Sequence, residues 1–209
     1  MQNADAVTVE FGTGDAPLFS AQDTVKYDSD NLYIGINVDS KQHDYLASRV
    51  DDIQGLAVLA NFEDKVIEKL PIPNASVDLV FMANVLGEPE SEYIMHDFKN
   101  AKGKYMGSST IESKVQTLHE SARILKDAGH LVILENNTPY MTWPSRKEPY
   151  ADTVKLLTTA GLEIVDAIDQ SDEDWNDIVS QYASPNQGWS DLSYLIVAKK
   201  SKQEFTDIQ

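Results

Sequence analysis

Val7-Thr8-Val9-Glu10-Phe11-Gly12-Thr13-Gly14-Asp15-Ala16-Pro17-Leu18 is the stretch on which the reading of the chain turns. A run of β-branched and aromatic residues stops at Gly12, and Gly12 and Gly14 bracket a tight turn. This pattern reads as a buried strand, a glycine-rich loop and a short helix. Glycine has no Cβ, so the backbone can turn sharply and approach a ligand closely. A helix starting after the loop leaves backbone N–H groups for polar ligand atoms. An ordinary strand-to-loop turn has the same signature, so the stretch needs support from the rest of the chain.

Outward from this loop, apolar runs alternate with helical patterns. Strand one spans about Val7 to Phe11, and a second run spans Leu32 to Val38. Lys41 to Ile53 places Leu46, Val50 and Ile53 on one helical face, with Gly55 fitting a C-terminal stop. Short runs follow at Leu56 to Ala60 and Val77 to Met82, separated by a loop marked by Pro71, Pro73 and Asn74. Glu88 to Gly107 has no clean period and reads as a helix and an irregular loop. Ser113 to Lys126 carries an apolar stripe of Val115, Leu118, Ala122 and Leu125, ended by Gly129. The remainder reads as a strand from His130 to Glu135, a loop from Asn136 to Pro149 and a helix from Asp152 to Ala160 closed by Gly161. Strand six spans Leu162 to Ile168, a helix Glu173 to Tyr182, and the last strand Leu192 to Ala198.

Alternating strands and helices imply an α/β fold: a Rossmann-like doubly wound sheet of seven strands with helices on both faces. In such folds ligands bind beyond the carboxyl ends of the strands, where the strand order reverses. A central strand one puts Gly12 to Asp15 at that point. The 209 residues suit a single domain spanning 1–209, and a chain that is 42% apolar and 9% aromatic can supply its core.

The formal charge is −17, from 34 acidic and 17 basic residues. An acidic protein of this kind repels phosphate backbones, so bulk nucleic-acid binding is not expected. Lys99, Lys102 and Lys104 form the best basic cluster and read as a solvated loop. No window has the length of a membrane span, and the N-terminus lacks the pattern of a signal peptide. With no cysteine there is no disulfide framework and no thiolate metal site. The expected location is cytoplasmic.

Five blocks, in order, resemble the class I S-adenosylmethionine-dependent methyltransferases, of the type 11-like kind. Val9-Glu10-Phe11-Gly12-Thr13-Gly14 resembles their first motif, an acid before a Gly-x-Gly loop. Leu32 to Asp39 is similar to the second strand, and Leu70 to Val80 to the loop into strand four. Glu120 to Ile133 resembles the helix-turn-strand that makes strand five, and Leu156 to Val165 the approach to strand six. The blocks cover the chain from about 7 to 198. The resemblance implies that the last strand is antiparallel, inserted between strands five and six.

It also implies a site for S-adenosyl-L-methionine, with S-adenosyl-L-homocysteine as product. Gly12, Thr13 and Gly14 would border the methionine part, and Glu10 would accept from its amino group or brace the loop. Asn37 and Val38 would meet the ribose, Asn61, Phe62 and Glu63 the adenine, and Asn84 the sulfonium and substrate. The departure lies at Asn37: the family pattern has a carboxylate there, which gives two vicinal hydroxyls charge-assisted bonds. A shifted register would give the ribose to Asp39 instead. The register of the strand, counted from Gly35, favours Asn37.

His43, His96, His119 and His130 have no metal-ligand spacing, so no metal is expected. His96 is a weak candidate base, and no other catalytic residue is nominated, because methyl transfer from a sulfonium needs mainly positioning. The resemblance implies a methyltransferase acting on an N, O or C nucleophile of a small-molecule substrate. A non-catalytic module that keeps the fold and binds cofactor weakly or not at all is the alternative. A nicotinamide-dependent dehydrogenase does not fit, because Pro17 stands where its fingerprint needs a third glycine.

Overall fold

A computed structural model describes residues 5–13, 31–37, 40–50, 55–59, 69–83, 85–86, 111–136, 149–169 and 192–201. Its strands are β1 (Ala6–Phe11), β2 (Asn31–Asn37), β3 (Gly55–Leu59), β4 (Val77–Ala83), β5 (Leu125–Asn136), β6 (Leu162–Asp169) and β7 (Leu192–Lys200). Its helices are α1 (Ser40–Val50), α2 (Ile111–Ile124) and α3 (Pro149–Thr159). The strands form one sheet in the order β3-β2-β1-β4-β5-β7-β6. β1 to β5 pair in parallel. β7 runs antiparallel to both β5 and β6, as the resemblance implied.

Strand alternation sorts the core into two faces. Val7, Val9 and Phe11 of β1 share one face with Ile34, Ile36, Val80, Met82, Leu131 and Ile133, and Leu118 of α2 and Leu156 and Leu157 of α3 join the same buried cluster. The opposite face carries Glu10, Tyr33, Gly35 and Asn37, with Leu46 of α1 against Gly35. Phe81 and Leu134 form a separate small core on that second side. Right-handed crossovers produce this division: β2-α1-β3 steps one way along the sheet and β4-α2-β5 the other, so α1 and α2 cover opposite faces.

The structure corrects three local expectations. Gly55 does not stop α1 but opens β3, pairing with Tyr33. Pro149 belongs to α3 as its first residue, where its missing N–H leaves no bond unmade. α2 ends at Ile124, and Gly129 lies inside β5 rather than ending a helix. Between the pairs Val77↔Leu125 and Leu79↔His130, β4 advances two residues and β5 five, so the extra residues bulge. A Cβ on Gly129 would stand 2.8 Å from the Val77 carbonyl oxygen, which is why this bulge takes glycine. Gly161, at a φ of 76°, does close α3 as expected, its N–H reaching the Thr158 carbonyl at 3.1 Å. The expected helix at Glu173 to Tyr182 and the irregular region at Glu88 to Gly107 lie outside the described residues.

The far end of the sheet is clasped by polar bonds. The Arg123 guanidinium on α2 donates to Glu120 and, at 2.8 and 3.2 Å, to the carbonyls of Ile72 and Leu70. Glu120 accepts the Leu70 N–H at 2.7 Å. Ala75 and Ser76 donate to the last carbonyls of α2, on Arg123 and Ile124, at 3.0 and 2.8 Å. These bonds satisfy helix-end carbonyls that would otherwise lack partners and fix where β4 begins.

Candidate functional site

The strand order reverses at β1, with β2 and β3 on one side and β4 and β5 on the other. The crevice beyond the carboxyl ends of these strands is where a ligand fits this architecture. The described groups at that edge are Gly12 and Thr13 after β1, Asn37 ending β2, Val85 and Leu86 after β4, and Glu135 near the end of β5.

Gly12 leaves β1 at a φ of 70°, a left-handed conformation that glycine adopts without penalty. Its N–H donates to the Ile36 carbonyl at 2.9 Å, and the Thr13 N–H approaches the same oxygen at 3.4 Å. The turn therefore stays bound to β2 as it passes the end of the sheet. Thr13 is 3% exposed and Asn37 1%. The Asn37 side chain donates through Nδ2 to Thr13 Oγ1 at 2.9 Å.

Tyr33, Gly35 and Asn37 point to one face of β2 because strand side chains alternate. Gly35 lies opposite Glu10 in the register. A Cβ on Gly35 would meet Thr13 Cγ2 and Tyr33 Cε1, each at 3.0 Å, and Leu46 Cδ2 at 2.6 Å. The missing side chain is thus the seat on which Thr13, Tyr33 and Leu46 converge. Beneath it, the buried Tyr33 hydroxyl donates to Glu10 Oε2. A carboxylate in the sheet interior needs such partners, because burying it without them costs several kcal/mol in effective terms.

On the other side of the switch point, Glu135 is fully buried. Its Oε1 accepts the N–H groups of Val85 and Leu86 at 2.9 and 2.7 Å. The carboxylate at the end of β5 thereby ties down the backbone just after β4.

Of the residues nominated from the sequence, Glu10, Gly12, Thr13 and Asn37 come together at this edge. Gly14, Val38, Asn61, Phe62, Glu63, Asn84 and His96, with Asp39, lie outside the described residues. Tyr33 and Glu135 were not foreseen. Tyr33 has the same parity as Gly35 and Asn37, which was legible. Glu135 is a charge closing an otherwise apolar run, and that mismatch was its signal. Among the described residues, no group of three or more acidic or histidine side chains is placed to hold a metal. No described helix is long and apolar enough to cross a membrane.

The left-handed turn at Gly12 and the buried Thr13–Asn37 pair lie where β1 and β2 end. Comparison with solved structures agrees at the level of fold. The chain is similar to a TehB-like SAM-dependent methyltransferase from Corynebacterium glutamicum, with a TM-score of 0.57 and 16% identity over 95% of this chain and 82% of that one. It is similar to a SAM-dependent methyltransferase from Aquifex aeolicus, with a TM-score of 0.56 and 14% identity over 94% and 82%. A geranyl diphosphate C-methyltransferase from Streptomyces coelicolor, solved with Mg2+, geranyl diphosphate and S-adenosyl-L-homocysteine, gives a TM-score of 0.56 and 15% identity over 94% and 74%. No protein-family model matches the sequence, and no curated protein does. The fold is that of the class I SAM-dependent methyltransferases.

Proposed function

We propose that this chain binds S-adenosyl-L-methionine and transfers its methyl group to an N, O or C nucleophile of a small molecule. The observation that carries the reading is the buried Asn37–Thr13 pair, which joins the end of β2 to the turn after β1 at the switch point. A sheet of this order with polar groups at that point suits a cofactor laid across the strand ends.

Bound S-adenosyl-L-methionine supplies an electrophilic methyl group on a sulfonium sulfur. The chain's part is binding and orientation. Gly12 and Gly14 would border the methionine moiety, with Glu10, which accepts from Tyr33, close by. Asn37 and Val38 receive the ribose, and Asn61, Phe62 and Glu63 the adenine. Glu135 holds the backbone of Val85 and Leu86, and Asn84 is the residue proposed to face the reacting centre. The small-molecule nature of the acceptor is supported by the geranyl diphosphate enzyme, whose fold this chain shares.

Titration calorimetry with S-adenosyl-L-methionine and S-adenosyl-L-homocysteine tests the reading. Saturable binding of both is the expected result. No binding at millimolar ligand removes it and leaves a non-catalytic module that has kept the fold.

A further inference from the structure

We propose that Glu135 is a positioning residue that holds the ligand crevice open, an inference that rests on the cofactor reading above. The crevice lies between two adjacent strands, β1 and β4, and the chain leaves them toward opposite faces of the sheet. After β1, Thr13 turns to the face of Gly35, its Cγ2 3.0 Å from where a Cβ on that glycine would stand. After β4, Val85 and Leu86 join the buried cluster of Val9, Ile133 and Leu118, which fills the other face. A cleft at neighbouring strand ends exists only while the two exits diverge in this way.

Each exit is tied to the next strand outward, by different means. The turn after β1 is held by backbone alone: the Gly12 N–H donates to the Ile36 carbonyl of β2 at 2.9 Å. The exit from β4 is held by a side chain. The ladder between β4 and β5 ends at the pair Ala83↔Leu134, so it does not reach Val85 and Leu86. Glu135 takes its place, receiving both of their N–H groups on the one oxygen Oε1 at 2.9 and 2.7 Å. Two consecutive N–H groups aimed at one atom fix the direction of the backbone that carries them, and an ionised acceptor holds them more strongly than a neutral one. Strand alternation puts Glu135 on the face of Leu131 and Ile133, so it draws the exit of β4 away from Thr13. Glu135 acts through the backbone of residues 85–86 and needs no contact of its own with the cofactor.

The test uses Glu135→Asp, which keeps the charge and draws the oxygen back by one methylene, and Glu135→Gln, which keeps an oxygen in reach and removes the charge. Both are titrated with S-adenosyl-L-homocysteine well below their unfolding midpoints. Amide hydrogen exchange at Val85 and Leu86 is followed with and without that ligand. Loss of the two buried hydrogen bonds should weaken binding about tenfold in Glu135→Asp. In the free Glu135→Asp protein both amides should exchange about tenfold faster than in the parent, with protection regained when the ligand is bound. Glu135→Gln should bind within about threefold of the parent and keep both amides protected. Glu135→Met, which has no oxygen, is read against Glu135→Gln if Glu135→Asp does not fold. Parental affinity in a folded variant whose two amides have lost protection would make the bonds merely structural and overturn the proposal while the cofactor reading stands. Equal weakening in Glu135→Gln and Glu135→Asp would overturn it by giving the effect to the charge. A parent protein that does not bind S-adenosyl-L-homocysteine overturns both.

Discussion

Leu46 of α1 reaches across the second face of the sheet until its Cδ2 is 2.6 Å from where a Cβ of Gly35 would stand. A helix and a strand meet there with no space for one more carbon. Gly35→Ala should therefore lower stability by about 1–3 kcal/mol, the usual cost of overpacking. Thermal unfolding measures it. Shortening the opposing side chain in Gly35→Ala/Leu46→Val should recover part of the loss, and a double variant no more stable than the single one would show that Leu46 is not the obstruction.

Asn37→Asp should tighten S-adenosyl-L-methionine several-fold. A carboxylate gives charge-assisted bonds, each stronger than a neutral one by roughly 1 kcal/mol. Repulsion from an acidic protein and the desolvation of a buried charge work against the gain. The cationic cofactor should gain more than the neutral product, because the new charge also attracts the sulfonium. Calorimetry of Asn37→Asp beside Asp39→Asn checks the register: if Asn37→Asp weakens binding and Asp39→Asn weakens it more, the ribose belongs to Asp39.

Gly12→Val should abolish cofactor binding in a chain that still folds. The left-handed φ of Gly12 adds a cost of its own, about 1–2 kcal/mol for any residue with a Cβ. Circular dichroism and calorimetry on the same sample separate the two effects. Undiminished binding would move the cofactor site away from this turn.

The two N–H groups that converge on Glu135 make that residue sensitive to the loss of its oxygen rather than of its charge. Glu135→Gln keeps an acceptor and should cost on the order of 1 kcal/mol. Glu135→Leu leaves both N–H groups buried without it, at roughly 1–3 kcal/mol each. Denaturant titration should rank the parent above Gln and Gln above Leu, and equal midpoints for the two variants would rule out the hydrogen bonds as the cause.

Ala75 is the described non-glycine residue with a positive φ, 51°, held there by its bond to the end of α2. Glycine adopts that conformation without the clash at Cβ. Ala75→Gly should raise stability by up to about 1 kcal/mol, since relief of strain exceeds the added freedom of the unfolded chain. A lowered unfolding midpoint would contradict this.

The sheet was legible because its signals are local. The apolar runs at Val7, Leu32, Val77 and Leu192 needed only their own residues to be seen, and their alternation with helices gave the doubly wound sheet, while the place of β7 came from the resemblance. Gly55 and Gly129 were misread because glycine marks both a helix stop and a place where two backbones crowd. Only the second strand, carrying Tyr33 or Val77, tells which applies. Glu10 and Asn37 were nominated through the resemblance and Gly12 through its place in a Gly-x-Gly turn, whereas the Tyr33–Glu10 and Glu135–Val85 bonds join residues 23 and 50 positions apart and leave no local signal.

The place of β7 governs the order in which the sheet can be completed. β6 hydrogen-bonds to β7, and β7 to β5. When residues 162–169 leave the ribosome, the neighbour they will pair with has not been made, and β5 still shows an open edge bearing Leu131 and Ile133. Synthesis of residues 192–200 closes both gaps at once, threading one strand between two that came before it. A nascent chain halted before Leu192 thus lacks the pairing of two strands, not one, and exposes a sticky edge of the kind that recruits chaperones or aggregates.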